Sequence, residues 1–172
     1  YFWKVSDFML NIYVDGSSRG NPGDGGFGVV IINNNKLEYA FSEQFNNVTN
    51  NQMELRAIIH ALELIKEKYP EEEVIIHSDS AYCVNMCNNW IWTWSKNDWK
   101  NSKKQIVENY ELVKRIWKFI SMEFPNFQIV KCSGHSGIIE NELADRLANQ
   151  DFTKFTKILE ENGIEYKPNL IF

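Results

Sequence analysis

Four acidic residues stand where apolar segments give way to polar ones. Asp15 ends an apolar run that begins at Phe8, and the stretch Gly16-Ser17-Ser18-Arg19-Gly20-Asn21-Pro22-Gly23 follows it. Asp79 ends a second apolar run, Val74 to Ser78. Glu54 lies inside one helical pattern and Asp145 on the flank of another. Carboxylates gathered at one place repel one another strongly in a low-dielectric site, and divalent cations relieve that repulsion. All-oxygen ligation selects Mg²⁺ or Mn²⁺ over zinc, and no Cys/His zinc spacing competes for the assignment. A metal pair held by carboxylates suits in-line displacement at phosphorus, one ion activating water and the other stabilising the leaving oxygen. His135, in the turn Ser133-Gly134-His135-Ser136-Gly137, would carry a proton nearby, since imidazole titrates close to neutrality. Each position also has an ordinary reading: a strand-end Asp starts turns, and a loop His is commonly just solvated. Glu54 resists the ordinary reading best, because a helix rarely points an unpaired acid inward.

The inward direction of Glu54 follows from the helix that carries it. Thr49 or Asn50 caps a helical pattern that runs to about Tyr69 and is closed by Pro70. At 100° per residue Gln52, Arg56, His60, Glu63 and Glu67 share a polar face. Glu54 lies about 170° from its centre, with Ile58, Ala61 and Ile65. Before this helix, Phe8–Asp15 reads as a strand with Phe8, Leu10, Ile12 and Val14 on one face, followed by a glycine-rich loop over 16–26. Phe27–Ile32 and Leu37–Gln44 read as two more strands around Asn33-Asn34-Asn35, a hairpin signal because Asn tolerates positive φ. After it, Val74–Ser78 reads as a strand covered on both sides, and two buried strands joined by a helix form a βαβ unit with both acids at one edge. Ser80 or Asp79 caps a helix over about 80–88; a long helix follows from about Ile106 to Glu123, a strand near Phe127–Lys131, and a short helix Glu140–Gln150. The expected fold is α/β: a five-stranded mixed sheet, three antiparallel strands then two parallel, flanked by helices.

Composition is that of an ordinary globular protein, 44% apolar and 24% charged over 172 residues, enough for one domain with a sizeable core. No apolar run is long enough to span a bilayer and no secretory signal opens the chain. Net charge of −5 argues against coating nucleic acid through charge alone, but a metal-dependent nuclease is acidic at its own site. Cys83, Cys87 and Cys132 are an odd number without ligand spacing, which suggests a reducing, intracellular compartment, cytoplasm or nucleus, with a viral origin open; Cys83 and Cys87, four apart on a helix, read as small buried hydrophobes. Lysines interleave with aromatics between Trp90 and Lys104, a pattern that serves core packing or tracking of a nucleic-acid backbone. Residues 1–151 are expected to form the catalytic domain, and 152–172 a tail without clear periodicity.

Asp15-Gly16-Ser17 with Gly20-Asn21-Pro22-Gly23, Thr49-Asn50-Asn51-Gln52-Met53-Glu54-Leu55, Ser78-Asp79-Ser80, and Gly134-His135-Ser136-Gly137 before Glu140-Asn141-Glu142-Leu143-Ala144-Asp145 closely resemble the motifs of type 1 ribonuclease H. The resemblance runs from about residue 8 to 150, and the four motifs in order are very specific. It implies a ribonuclease H-like fold and endonucleolytic hydrolysis of the RNA strand of an RNA/DNA hybrid. Two Mg²⁺ ions are implied, with Mn²⁺ able to substitute, and the products carry 5′-phosphate and 3′-hydroxyl ends. By position, Asp15 would contact both metals, Glu54 and Asp79 one, and Asp145 the other; His135 matches a histidine assisting proton transfer or product release. Asn21, Asn50 and Gln52 fall where the family contacts the hybrid's minor groove, where the 2′-hydroxyl distinguishes RNA from DNA. Thr49 and Asn109 match a pocket for a DNA-strand phosphate. Trp90, Trp94 and Trp99 match the family's channel and handle, and Lys96, Lys100, Lys103 and Lys104 its basic protrusion.

This chain departs from the pattern in three places. Asp98 makes the handle less basic, Asp24 adds an acid after Pro22-Gly23, and Ile138-Ile139 makes the His135 loop unusually apolar. No counterpart of the N-terminal hybrid-binding domain of many eukaryotic members is expected. A monomer without membrane association is expected. Alternatives are a DNA-cutting nuclease of the same superfamily (integrase, transposase or resolvase), the ribonuclease H domain of a reverse transcriptase, and a catalytically dead binding module. The Thr49–Gln52 group and the His135 loop favour ribonuclease H over the DNA cutters, and retention of all four acids counts against the dead module.

Overall fold

Alternation along the strands builds a sheet with two different faces. In the computed structural model, which describes residues 9–123, 128–132 and 138–170, Leu10, Ile12 and Val14 of β1 (Leu10–Gly20) are buried toward one face, while Tyr13 packs toward the other. Val29 and Ile31 of β2 (Gly23–Asn33) join the first side and Val30 the second, as a two-residue period requires. β3 (Lys36–Val48) completes an antiparallel meander. The β2–β3 turn is tight because Asn34 and Asn35 both take positive φ, 51° and 62°, the geometry of a type I′ hairpin.

The stretch expected to be a glycine-rich loop is instead mostly paired strand. β1 runs through Asp15 to Gly20, with Ser17 opposite Gly26 and Gly20 opposite Gly23, so the turn shrinks to Asn21-Pro22. Gly and Ser have weak strand propensity, but here every residue of that arm has a ladder partner, and tertiary pairing overrides propensity. Asp15 therefore stands one residue past β1's last parallel pair, Val14 with Ser78, and not at the end of β1.

α1 (Asn50–Lys68) is started by a capping box: Thr49 Oγ1 accepts from the Gln52 N–H at 3.1 Å and Gln52 Oε1 accepts from the Thr49 N–H at 2.9 Å. Its buried side carries Glu54, Ile58, Ala61 and Ile65, as the wheel predicts. His60 departs from the expected solvent face. It is half-buried, stacked on Phe41 at 4.0 Å and hydrogen-bonded through Nε2 to the Tyr39 hydroxyl at 2.7 Å, because β3 leans its aromatic side over this flank of α1. β4 (Val74–Ser78) pairs parallel with β1 and with β5 (Gln128–Lys131), giving the sheet order β3-β2-β1-β4-β5. β4 is buried on one side and half-buried on the other.

The helical segment expected over 80–88 continues further: α2 (Ala81–Asn85) passes through a π turn at Met86–Trp90 into α3 (Ile91–Ser95). The helix expected from Ile106 begins later, as α4 (Tyr110–Lys118), and ends in a π turn at Phe119–Glu123. The delay has a local cause. Asn109 takes a left-handed φ of 57°, and Lys100 bridges Ile106, so residues 96–109 close as a loop. α5 (Ile139–Ala148) and α6 (Phe152–Glu161) cover the second face of the sheet. The C-terminal segment thus has structure: Phe155 and Leu159 are fully buried with Val30, Leu37, Leu143 and Leu147. Leu37 N–H donates to the Glu165 carbonyl at 2.8 Å and Glu165 N–H to the Asn35 carbonyl at 3.0 Å, pinning the segment to the hairpin. The three cysteines are buried free thiols. Among the described residues no helix is long and apolar enough to cross a membrane.

Candidate active site

The parallel register between β1 and β4 brings two acids side by side. Val14 opposite Ser78 is the last register pair, and Asp15 and Asp79 each come next. The third acid arrives from α1, whose backbone lies against β1 at Gly16. A Cβ on Gly16 would collide with the main chain of Met53 and Glu54. That close approach allows the Gly16 N–H to donate to Glu54 Oε1. One carboxylate oxygen from each of Asp15, Glu54 and Asp79 lies within 4.8 Å of the others. Asp145 comes from α5 on the opposite face and stands near enough to Asp15 for its charge to act on that carboxyl, but it lies outside the group whose oxygens all fall within 4.8 Å of one another. α5 sits this close because Gly28 has no side chain: a Cβ there would lie 2.5 Å from the Ala144 carbonyl oxygen and 2.6 Å from Leu147 Cβ.

The cluster is electrostatically unfavourable by itself. Asp15 is 5% exposed and Glu54 7%. Burial first, then the charges of Glu54, Asp79 and Asp145, hold the Asp15 carboxyl well above the usual range. Burial and then Asp79 push Glu54 up to about 8, against the opposing pull of hydrogen bonds from Asp15, the Gly16 N–H and the Ser80 hydroxyl. Folding such a group of acids together costs stability that a cation can restore. The donor set is all oxygen, close enough for shared ligation, and fits a hard divalent metal.

Around the carboxylates, the expected nucleic-acid residues fall into separate groups. Asn21 and Asn50 are joined: Asn50 N–H donates to Asn21 Oδ1 at 3.0 Å, and Asn50 Oδ1 accepts from the Ser18 N–H at 2.7 Å, tying the hairpin to the start of α1. Thr49 and Gln52 are occupied with each other in the capping box. Asn21, Thr49, Asn50, Asn51, Glu108 and Asn109 line a cavity of about 540 Å³. Trp90 is 40% exposed, whereas Trp94 and Trp99 are half-buried against the main core. Trp90 and Trp94 rings lie 6.0 Å apart. Lys96, Lys100, Lys103 and Lys104 are all exposed on the loop between α3 and α4. His135 lies outside the described residues.

Several participants have roles the sequence does not state. Gly16, although within the Asp15-Gly16-Ser17 motif, and Gly28 act through what their missing side chains permit, which only the packing reveals. Ser80 has one readable signal, its place after Asp79 at a helix start; it caps α2 by accepting from the Cys83 N–H at 3.1 Å and also reaches Glu54. Glu108 adds an acid to the cavity beside Asn109.

Comparison with known proteins gives a consistent result. The family model described as RNase H matches residues 8–153. A protein named Ribonuclease H from Actinobacillus succinogenes is 42% identical over 155 residues, covering 90% of this chain and 96% of its own. Another of that name from Mannheimia succiniciproducens is 41% identical over 167 residues, covering 97% and 99%. Among solved structures, LC11-RNase H1 in complex with an RNA/DNA hybrid superposes with a TM-score of 0.63 at 27% identity, over 84% of this chain and 97% of that one.

Proposed function

The chain belongs to the ribonuclease H family, and from that membership we propose that it cleaves the RNA strand of RNA/DNA hybrids endonucleolytically, leaving 5′-phosphate and 3′-hydroxyl ends. The observation that carries this reading is the carboxylate group of Asp15, Glu54 and Asp79, with the charge of Asp145 acting on Asp15 from the other face. In this reading the carboxylates would hold two Mg²⁺ ions, for which Mn²⁺ would substitute. Asp15 would serve both, Glu54 and Asp79 one, and Asp145 the other. Bound there, the cations neutralise developing charge at phosphorus and favour hydroxide over water.

The protein's own groups do the rest. Gly16 N–H fixes the Glu54 carboxylate in orientation, and the Ser80 hydroxyl beside it favours the ionised form. His135 would assist proton transfer or product release. Asn21, Asn50 and Gln52 face the minor groove, where amide donors discriminate ribose by its 2′-hydroxyl. Gln52 has its Oε1 committed to the Thr49 N–H, which leaves its Nε2 as the donor. Thr49 and Asn109 hold a DNA-strand phosphate at the cavity they share. Trp90, Trp94 and Trp99 support the DNA strand, with Lys96, Lys100, Lys103 and Lys104 adding the sequence-independent electrostatic contact. The enzyme acts as a monomer.

The test is cleavage of labelled RNA/DNA hybrid, RNA duplex and DNA duplex, with Mg²⁺ or EDTA, by wild type and Asp79→Asn. Hybrid-only cutting of the RNA strand is expected, lost with EDTA and with the substitution. Cleavage of DNA duplex, or full activity in Asp79→Asn, would overturn the assignment.

A further inference from the structure

Asp15 and Ser17 sit two residues apart on β1, so their side chains emerge on the same face of the strand, toward α5. Asp15 feels the charge of Asp145 there. Ser17 meets Asn149, one turn further along the same helix: its Oγ donates to Asn149 Oδ1 at 3.1 Å. Asn149 turns its amide back on Asp145, with Nδ2 at 2.9 Å from the Asp145 carbonyl oxygen and 3.3 Å from Asp145 Oδ1. The result is a chain of bonds from strand to acid. β1 holds Asn149, Asn149 holds Asp145, and the charge of Asp145 bears on Asp15 of the same strand.

We propose that Asn149 is a positioning residue that aims the Asp145 carboxylate at Asp15, with Ser17 as its anchor on the strand. The inference rests on the carboxylates being metal ligands, as proposed above. Its physical need is clear from where the acids come from. Asp15, Glu54 and Asp79 converge through a strand pair and a helix locked to it by Gly16, whereas Asp145 is delivered by a helix on the other face. An ionised Asp145 would be driven from Asp15 by like charge, and an amide donor fixed from the strand opposes that drift. Carboxylate ligands are commonly oriented by such outer partners.

Asn149 also ends α5, its own N–H donating to the Asp145 carbonyl at 3.1 Å, so a purely structural helix-ending role must be separated. Ser17→Ala does this, because it removes the anchor and leaves the helix end intact. Mn²⁺ is titrated calorimetrically into wild type, Asn149→Ala and Ser17→Ala without substrate. Thermal midpoints and the Mg²⁺ concentration for half-maximal hybrid cleavage are measured beside it. Asn149→Ala is expected to weaken Mn²⁺ binding by about tenfold, the low end of what losing an outer-shell partner costs, and to raise the Mg²⁺ requirement in parallel. Ser17→Ala shifts both in the same direction with an unchanged thermal midpoint. Wild-type Mn²⁺ affinity in both variants, with only the thermal midpoint of Asn149→Ala lowered, overturns the proposal. A wild type that binds Mn²⁺ but leaves hybrids uncut refutes the proposed reaction, while the Mn²⁺ titration still decides the role of Asn149.

Discussion

The Gly16 N–H donates to the Glu54 carboxylate, joining a strand and a helix 38 residues apart at the centre of the acidic cluster. The contact exists only because position 16 lacks a side chain. Gly16→Ala places a methyl against the α1 main chain, which has no flexible end to move aside. Overpacking of this kind costs about 1–3 kcal/mol, and displacing Glu54 by even an ångström should lower hybrid cleavage about 100-fold. Gly163→Ala is the control. Gly163 has φ of +63° with nothing within 4 Å, so the change should cost only the about 1–2 kcal/mol of a left-handed backbone and leave cleavage intact. Urea unfolding and initial rates on both variants check this; equal activity in the two would remove Gly16 from the site's construction.

The raised carboxyls of Asp15 and Glu54 make metal-free stability depend on pH. A group that holds its proton more tightly when folded stabilises the fold below its unfolded pKa, and that contribution disappears as pH rises through the folded value. The window therefore opens in the ordinary carboxylate range and runs up to about 8, the value for Glu54. In EDTA the thermal midpoint should fall across this interval. Mg²⁺ should restore it, by more at the alkaline end than at the acid end, because the ion replaces the protons. Glu54→Gln should flatten the slope in EDTA. Scanning calorimetry over this range checks the sign, and a midpoint that rises with pH in EDTA contradicts it.

Much of the site is legible in the sequence, and the exceptions have physical causes. Glu54 stands out because 100° steps put an acid among Ile58, Ala61 and Ile65, and it is buried there. Asp15 and Asp79 stand out as polar ends of apolar runs, and parallel register joins them. The run of β1 beyond Asp15 is hidden by residues whose intrinsic preference is for turns. The late start of α4 depends on one backbone angle at Asn109, which no periodicity records. α6 is a different case. Phe152, Phe155, Ile158 and Leu159 do recur at helical spacing, but a 10-residue element is shorter than the window in which a period stands clear. Gly28 and Asn149 matter through contacts distant in sequence that no local pattern marks, and Gly16, though it stands in the Asp15-Gly16-Ser17 motif, shows its role only in the packing against α1.

Binding should depend on salt through the loop between α3 and α4. Lys103 and Lys104 are exposed there, as is Asp98. Each cation–phosphate contact adds a little under one to the slope of log affinity against log salt, so replacing both lysines with Ala should reduce that slope by about 1–2 and weaken binding. Asp98→Asn should act oppositely, tightening binding by removing a charge that repels phosphate. Asp98 has φ of 54°, a conformation Asn tolerates as well as Asp, so the change isolates charge from fold. Hybrid binding by catalytically silent Asp79→Asn protein, titrated with KCl, measures both; an unchanged slope in the double lysine variant removes this loop from the footprint.

The C-terminal segment should contribute directly to stability through Phe155. Its ring is fully buried between β2 and α5, in contact with the cluster that includes Val30, Leu143 and Leu147. Truncating a buried Phe to Ala leaves a cavity and costs about 3–5 kcal/mol, whereas Phe155→Leu keeps most of the volume and should cost under about 1.5 kcal/mol. The loss bears on the site because α6 braces the helix that carries Asp145: Asp151, its N-cap, donates its N–H to the Arg146 carbonyl at 2.8 Å. Phe155→Ala should therefore lower the urea midpoint sharply and reduce cleavage at temperatures where the protein is still folded, with Phe155→Leu preserving both. A Phe155→Ala protein within about 1 kcal/mol of wild type would mean that α6 is not packed on the sheet, since a fully buried ring cannot be removed so cheaply.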